Sequence, residues 1–224
     1  MDDLESADED VRLRVYQTFA AAGRAPAAAT LAAELGLGAD AVHAGLRRLA
    51  DARHLVLDGS GDIVMAHPFS SVPLGFAGMG RETLWWGGCA WDSFALPHVL
   101  PDEPEVLVST RCPGCAAALA WIVSRSAPPE GREVAHFLVP AAQMWDDVVR
   151  TCSNQRLFCS DTCVDRWLAA SGNARGYVMD LATLWRLAQH WYDGRLDHGY
   201  RRRAPAQVAD YFRAAGLGGT FWDL

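Results

Sequence analysis

The sequence predicts an α+β protein, with an N-terminal winged-helix-like domain over residues 1–66 and a mixed α/β domain over residues 67–224. Three stretches with helical spacing, followed by two short apolar runs around a turn, predict the first domain. Two prolines within residues 67–73 indicate a linker. Beyond it, apolar runs of strand length alternate with helical periodicity, which is typical of a domain that contains both kinds of element.

The first domain is expected to hold three helices and a hairpin after a frayed acidic segment. Apolar side chains recur at helical spacing, a glycine marks one helix end, and a Gly-rich turn separates the two apolar runs. The expected elements are a frayed segment (1–9), helices over 10–22 and 27–35, a third helix capped by Asp40, and a hairpin of residues 54–57 and 62–65.

The second domain is expected to alternate between strands and helices. Apolar runs of five to seven residues predict its strands, while capping residues and prolines mark its helix starts. The expected elements are strands over 106–110, 118–124 and 134–139, a helix from Pro140 to Arg150 with Met144, Val148 and Val149 buried, and helices that begin near Cys163, Asp180 and Pro205.

Composition favours a globular protein of the cytoplasm. Half of the 224 residues are hydrophobic, which is ample for a core, and the net charge is −7. No apolar run is long enough to span a bilayer, and the acidic start is the opposite of a signal peptide. All twenty basic residues are arginine, which is typical of a GC-rich bacterial genome.

The charge of residues 1–66 argues against the DNA binding that a winged helix usually indicates. These residues include eleven acidic side chains and six arginines, a balance of −5, which is a poor match for phosphate. Arg47 and Arg48 fit a solvated helix face as well as a DNA contact. A nucleic-acid partner is therefore not expected.

Cys89 and Asp92, within the stretch Trp85–Asp92, are the first candidates for chemistry. If a helix starts at the two preceding glycines, both side chains lie on one face of its first turn, where a thiolate is favoured. The apolar neighbours would exclude water from them. The alternative is a buried structural cysteine beside a helix-capping aspartate.

Together with Cys152, which follows 63 residues after Cys89, this motif resembles the catalytic trio of the organomercurial (alkylmercury) lyases. Leu157-Phe158 and Asp165-Arg-Trp167 match the aromatic pair and the Asp-Trp element of that family. Cys112 matches a further family cysteine. The resemblance covers most of the chain, is weakest in the first 60 residues, and implies a winged-helix-like domain joined to a mixed α/β catalytic domain.

The resemblance implies that carbon–mercury bonds are cleaved by protonation. Mercury is soft and prefers thiolates, so Cys89 and Cys152 would bind a small organomercurial. Asp92, whose pKa desolvation would raise, would carry a proton taken from a cysteine to the leaving carbon. The product Hg(II) would stay on the two cysteines until external thiols or a mercuric reductase remove it. No cofactor is required.

Two positions near the trio depart from the family pattern. Gly87-Gly88 stand where better-known members carry bulkier side chains. Ser153 and Asn154 stand where those members have a further cysteine and a histidine. Both departures fall in the expected pocket, so they bear on the range of substrates.

The other four cysteines form a second possible site. The spacings Cys112-x-x-Cys115 and Cys159-x-x-x-Cys163 are compatible with a structural zinc held by four thiolates. The alternative is that some are packing cysteines; a disulfide framework is not expected in a reducing compartment. The seven histidines show no ligand spacing and are expected to play no part in a site.

An organomercurial lyase is therefore the leading interpretation, and two others stay open. One is a non-catalytic protein that sequesters a soft metal cation with its thiols. The other is a winged-helix metal sensor, against which the acidic N-terminal charge counts.

Overall fold

The structure is a computed structural model that describes residues 6–224; residues 1–5, part of the expected frayed segment, lie outside the described residues. The α+β class is confirmed. None of the helices between residues 6 and 224 has the length and apolar character to cross a bilayer. The α-helices are α1 (Ser6–Ala22), α2 (Ala28–Leu35), α3 (Ala39–Asp51), α4 (Ala90–Val99), α5 (Val148–Ser153), α6 (Asp161–Ser171), α7 (Leu181–Gln189) and α8 (Pro205–Ala214).

The strands form two antiparallel sheets. The larger sheet has the order β1-β2-β3-β5-β4-β6-β7, and the smaller has the order β10-β8-β9. The strands are β1 (Val56–Leu57), β2 (Ile63–Ala66), β3 (Phe69–Ser70), β4 (Phe76–Met79), β5 (Leu84–Gly87), β6 (Glu105–Arg111), β7 (Ala118–Ser124), β8 (Val134–Phe137), β9 (Gln155–Phe158) and β10 (Tyr177–Asp180).

The segment expected to be a linker contains a strand instead. In β3, Ser70 pairs with Met65 of β2, while Phe69 pairs with Gly87 of β5. This strand of two residues is too short for a visible alternation of apolar and polar side chains, which is why the sequence pattern did not reveal it. The hairpin of the N-terminal region and the strands of the second region therefore belong to one sheet.

The start of α1 is ordered by buried ion pairs rather than frayed. Asp8 and Glu9 are 3% and 6% exposed. The Arg48 guanidinium donates to Asp8 over 2.6 Å, and that of Arg12 donates to Glu9 over 2.7 Å. Because an acidic residue loses its hydration on burial, these partners are what make a helix start possible here. The expected fraying of residues 6–9 was wrong.

Arg12 also ties α1 to the C-terminal part of the chain. Its side chain is fully buried, and its two terminal nitrogens donate to the carbonyl oxygens of Arg195, over 2.8 Å, and Asp197, over 2.6 Å. Glu9 accepts from the backbone N–H of Gly199 over 2.7 Å. The first helix is thus fixed to residues 195–199.

The helices of the N-terminal region otherwise differ little from expectation. Helix α2 ends where a glycine was expected to end it, because Gly36 adopts φ +65° and so terminates the helix in the left-handed region. Helix α3 has Gly38, not Asp40, at its N-cap. Asp40 lies in the first turn, where its carboxylate still favours the positive helix end.

The expected helix from Pro140 to Arg150 is the largest error in the second region. Residues 141–143 form a single 3₁₀ turn, and α5 begins only at Val148. The Asp147 side chain accepts from the N–H of Arg150 over 2.9 Å and so starts a new helix rather than continuing one. Val149 is consequently 37% exposed instead of buried.

Helix α4 lies at the centre of the molecule and positions the residues considered next. Residues 90–97 are all buried, which is typical of a helix that is apolar all round. The helix packs between α7 and strands β4, β5 and β6 of the larger sheet. The Trp91 indole N–H donates to the Leu187 carbonyl over 3.1 Å, which ties α4 to α7.

Candidate active site

One cavity of about 420 Å³ brings together the three residues that the sequence singled out for chemistry. Cys89 and Asp92 reach it from the N-terminal end of α4, and Cys152 reaches it from α5. All three side chains are buried, with 2%, 1% and 4% of their surface exposed. The cavity can therefore hold a small molecule against two thiols and a carboxyl group.

Cys89 is the N-cap of α4, and its Sγ accepts the backbone N–H of Asp92 over 3.4 Å. Burial raises the pKa of the Cys89 thiol well above its usual value, because water no longer solvates the thiolate; the Cys152 thiol and the charge of Asp92 add to this. The raised pKa keeps Cys89 protonated at neutral pH.

Gly88 is required by the close approach of the Asp92 carboxyl group. A Cβ atom on Gly88 would lie 2.2 Å from Asp92 Oδ2 and 2.5 Å from Met65 Cε. A Cβ on Gly87 would lie 2.0 Å from Ser93 Oγ. The two glycines therefore let the first turn of α4 fold back against the strand before it, and this gives the glycine pair a steric reason in this chain.

Asp92 is held in place by Tyr192 and lies close to Cys152. Oδ1 accepts a hydrogen bond from the Tyr192 hydroxyl, and Oδ2 lies 4.0 Å from Cys152 Sγ. Burial raises the pKa of Asp92, and the opposing effects of His67, Tyr192 and Cys89 do not fully offset it. A carboxyl group in this setting takes up a proton more readily than one in water.

Cys152 has the opposite electrostatic setting from Cys89. A hydrogen bond from the Cys89 thiol lowers the pKa of Cys152 most, and this outweighs the effect of burial. The nearby His67 lowers it further; His67 Nε2 lies 3.4 Å from Cys152 Sγ. Cys152 is therefore the thiol that more readily forms a thiolate.

His67 belongs to this site, although the histidines were expected to play no part in one. One ligand atom each from His67, Asp92 and Cys152 lie within 4.8 Å of one another. Burial alone would lower the pKa of His67, but the negative charges of Asp92 and Cys152 outweigh it and raise the pKa. No spacing in the sequence connects His67 to a partner 85 residues away, so the pattern gave no signal for it.

Tyr192 and Arg195 are two further residues that sequence reasoning missed. Arg195 is buried, donates to the Tyr16 hydroxyl over 2.5 Å, and lies 5.3 Å above the centre of the Tyr192 ring. It also lies 4.6 Å from the centre of the Tyr200 ring. These contacts fix the tyrosine that holds Asp92. Both residues follow α7 in a region without helical or strand periodicity.

Positive charge surrounds the mouth of the cavity. The Trp145 ring lies within 5.7 Å of the Arg53 guanidinium and within 5.1 Å of that of Arg202. The same ring packs 5.8 Å from that of His67, so it connects the mouth with the thiols. Arg203 also lines the cavity. The carboxylates among the lining residues are Asp92 and Asp146.

The remaining cysteines gather at a second place. One sulfur atom each from Cys112, Cys115, Cys159 and Cys163 lies within 4.8 Å of the other three, and none of these residues lines the cavity. The six cysteines of the chain are thus divided into one pair and one group of four.

Comparison with known proteins identifies a family and a similar fold. Residues 69–193 match the family model described as alkylmercury lyase. No curated protein matches the chain. The fold is similar to the crystal structure of the mercury-bound form of MerB2, with a TM-score of 0.65 and 17% identity over 87% of this chain and 94% of that chain. Because the matched residues make up more than half of the sequence, the protein belongs to the alkylmercury lyase family.

Proposed function

We propose that this alkylmercury lyase cleaves the carbon–mercury bond of a small organomercurial with Cys89, Cys152 and Asp92. The observation that carries the proposal is the contrast between two thiols around one buried carboxyl group. The pKa of Cys152 is lowered and that of Cys89 is raised. One thiol is therefore ready to capture mercury, and the other still holds the proton that the reaction needs.

Capture comes first. The Cys152 thiolate attacks the mercury of R–Hg–X, forms a sulfur–mercury bond and displaces X⁻, which is a small thiol or another anion. A soft thiolate is the preferred ligand for a soft metal such as mercury. The positively charged His67 ring, 3.4 Å away, stabilises the thiolate before capture.

Proton transfer and cleavage follow. Cys89 passes its proton to the Asp92 carboxylate, three residues further along in the first turn of α4, and the new thiolate becomes the second sulfur ligand of mercury. Two thiolates raise the electron density on the metal and weaken the carbon–mercury bond. Asp92 then protonates the leaving carbon, so that R–H departs, Asp92 is again a carboxylate, and Hg(II) remains bound between Cys89 and Cys152.

The proposed reaction requires no cofactor, because two thiols and one carboxyl group that carries the proton are sufficient for all of its steps. The expected structural zinc on the other four cysteines has no part in it. Hg(II) would leave to external thiols or to a mercuric reductase, which suits a reducing, cytoplasmic setting. Residues 1–66 would form a winged-helix-like domain that supports the site and does not bind DNA. Arg48, one of the two arginines considered for a DNA contact, is paired with Asp8.

The direct test is turnover of phenylmercury by the purified protein in the presence of excess thiol. Benzene should appear in step with loss of substrate, and in a single turnover without added thiol Hg(II) should stay on the protein. If phenylmercury binds tightly and no benzene is released, the protein sequesters the metal compound instead.

Replacing His67 by glutamine should slow capture at neutral pH. The imidazolium stabilises the thiolate, so its loss raises the pKa of Cys152 and moves the rising limb of kcat/KM against pH towards higher pH. A hydrogen bond to a charged group is typically about 1.5–3 kcal/mol, which corresponds to a decrease of roughly ten- to a hundredfold. The measurement is kcat/KM for phenylmercury between pH 6 and pH 10, approximate limits set by the histidine and thiol ranges.

His43→Gln is the matched control for this variant, because His43 is exposed on α3 and outside the cavity. Its profile should coincide with that of the wild type. An unshifted pH profile for His67→Gln would show that the imidazole of His67 does not stabilise the Cys152 thiolate.

The arginines at the mouth favour organomercurials that carry a negative charge. We expect kcat/KM for 4-mercuribenzoate to exceed that for phenylmercury, and Arg202→Gln to reduce this ratio by about two- to fivefold, since Arg202 is exposed and screened by water. Arg24→Gln, an exposed arginine outside the cavity, should leave the ratio unchanged. If Arg202→Gln does not change the ratio, Arg202 does not contribute to a preference for negatively charged substrates.

A further inference from the structure

Four cysteine sulfur atoms from two separate turns lie close together beside the turn that joins β6 and β7. Cys112 and Cys115 lie in the turn between β6 and β7, whereas Cys159 and Cys163 flank the start of α6. The four sulfur atoms lie within 4.8 Å of one another, and those of Cys115 and Cys159 are 3.5 Å apart. Tetrahedral zinc with bonds of about 2.3 Å to sulfur requires sulfur atoms about 3.8 Å apart.

The backbone of the first turn is shaped to present two sulfur atoms on one side. The N–H of Cys112 donates to the Ala117 carbonyl over 2.9 Å, and the N–H of Ala116 donates to the Cys112 carbonyl over 2.8 Å. Ala116 adopts φ +62°, a left-handed conformation that residues other than glycine rarely take up. A conformation of this cost persists only where the surroundings fix it.

The second turn is pressed against the first. A Cβ atom on Gly114 would lie 2.2 Å from the carbonyl oxygen of Cys163, so only glycine allows this approach. The backbone N–H of Cys159 points at Cys112 Sγ over 3.5 Å. Cys163 lies in the first turn of α6.

Positive charge flanks the four sulfur atoms. Arg111 donates to the Ala116 carbonyl over 3.2 Å, and Arg166 donates to the Gly114 carbonyl over 3.5 Å. A zinc ion with four thiolates carries a charge of −2, which these two guanidinium groups would partly balance.

We propose that Cys112, Cys115, Cys159 and Cys163 bind one structural Zn²⁺ ion, with no coordination position left open for a substrate. The chemistry of the ligand set supports zinc, because four convergent sulfur ligands are typical of closed structural sites. Two of the four, Cys112 and Cys163, are buried, so the group is not a surface coincidence.

Such an ion would support the active site from outside. It would join the turn between β6 and β7 to the start of α6, and α6 follows β9. Strand β9 begins at Gln155, three residues after Cys152. The metal would therefore anchor the strand that directly follows the helix carrying Cys152, without contacting mercury itself.

Elemental analysis of the full-length protein, purified without added metal, tests the proposal. We expect about one zinc per chain in the wild type and in Cys89→Ser, which serves as the matched cysteine control. Cys115→Ser and Cys159→Ser, at the two more accessible positions, should lose most of the zinc and unfold at a lower temperature. A zinc-free wild type that is folded would overturn the proposal, as would full zinc retention in both variants.

Cobalt provides a second measurement that does not depend on the variants folding. The wild type refolded with Co²⁺ in place of zinc should show the charge-transfer and visible bands of tetrahedral thiolate ligation. Absence of these bands, or a mass that shows disulfides among the four cysteines, would contradict the site. Neither readout involves organomercurial turnover, so failure of this proposal and failure of the proposed mechanism can be told apart.

Discussion

Serine in place of Cys152 is expected to reduce hydrocarbon release from phenylmercury to the uncatalysed background. A hydroxyl group is a hard ligand that stays protonated, so it neither captures mercury nor completes a two-sulfur site. Cys89, the thiol that remains, has a raised pKa, so binding of phenylmercury itself should become slow at neutral pH. Benzene release and the rate of mercury binding are the two quantities to measure.

Cys89→Ser is the informative partner of that variant. It keeps His67, and the serine hydroxyl can still donate a hydrogen bond to the Cys152 thiolate, so capture of phenylmercury should remain close to the wild-type rate. Cleavage should stop, because the second sulfur ligand is missing. Thermal unfolding should show that both variants fold. Benzene production by Cys89→Ser would mean that one thiolate suffices, and the proposed division of roles would fail.

Asparagine in place of Asp92 should separate mercury binding from cleavage. The amide oxygen can still accept the hydrogen bond from Tyr192, and both thiols remain, so Hg(II) should bind as in the wild type. An amide cannot carry the proton to the leaving carbon, and loss of general acid catalysis typically costs on the order of 10²–10⁴ in rate. Single-turnover benzene release, measured beside Hg(II) binding, checks both halves.

The control for this substitution is Asp102→Asn, which removes an exposed carboxylate outside the cavity and should change neither quantity. Turnover of Asp92→Asn at the wild-type rate would reduce Asp92 to a structural role. The proton would then have to come from another group of the cavity.

The parts of the site that depend on local spacing were the parts that sequence could predict. Cys89 and Asp92 lie three residues apart, and a helix start alone brings them together. Cys152 was identified as a site residue only through the resemblance to a family, because no local pattern connects it with Cys89. His67 could not be found either way, because its contact with Cys152 exists only once β3 has joined the sheet.

The errors in the predicted fold also arise where local sequence patterns do not decide the structure. A helix over 140–150 fits the apolar spacing. In the structure, however, the side chain of Asp147 caps the N-terminus of a separate helix, α5, so no continuous helix forms. Met144 and Trp145 line the cavity from the irregular segment that results. The strands over 106–110 and 118–124 were predicted well, because seven-residue runs with alternating burial reveal themselves without knowledge of their partners.

Arg12 gives the first helix an influence over chemistry that it never touches. The helix cannot shift along its axis without pulling on the carbonyl groups of Arg195 and Asp197, and Arg195 packs on the ring whose hydroxyl orients Asp92. We therefore expect sequence changes on α1 to alter the position of the Asp92 carboxyl group from a distance. In the proposed mechanism, the first helix is thus coupled to the carboxyl group that would deliver the proton.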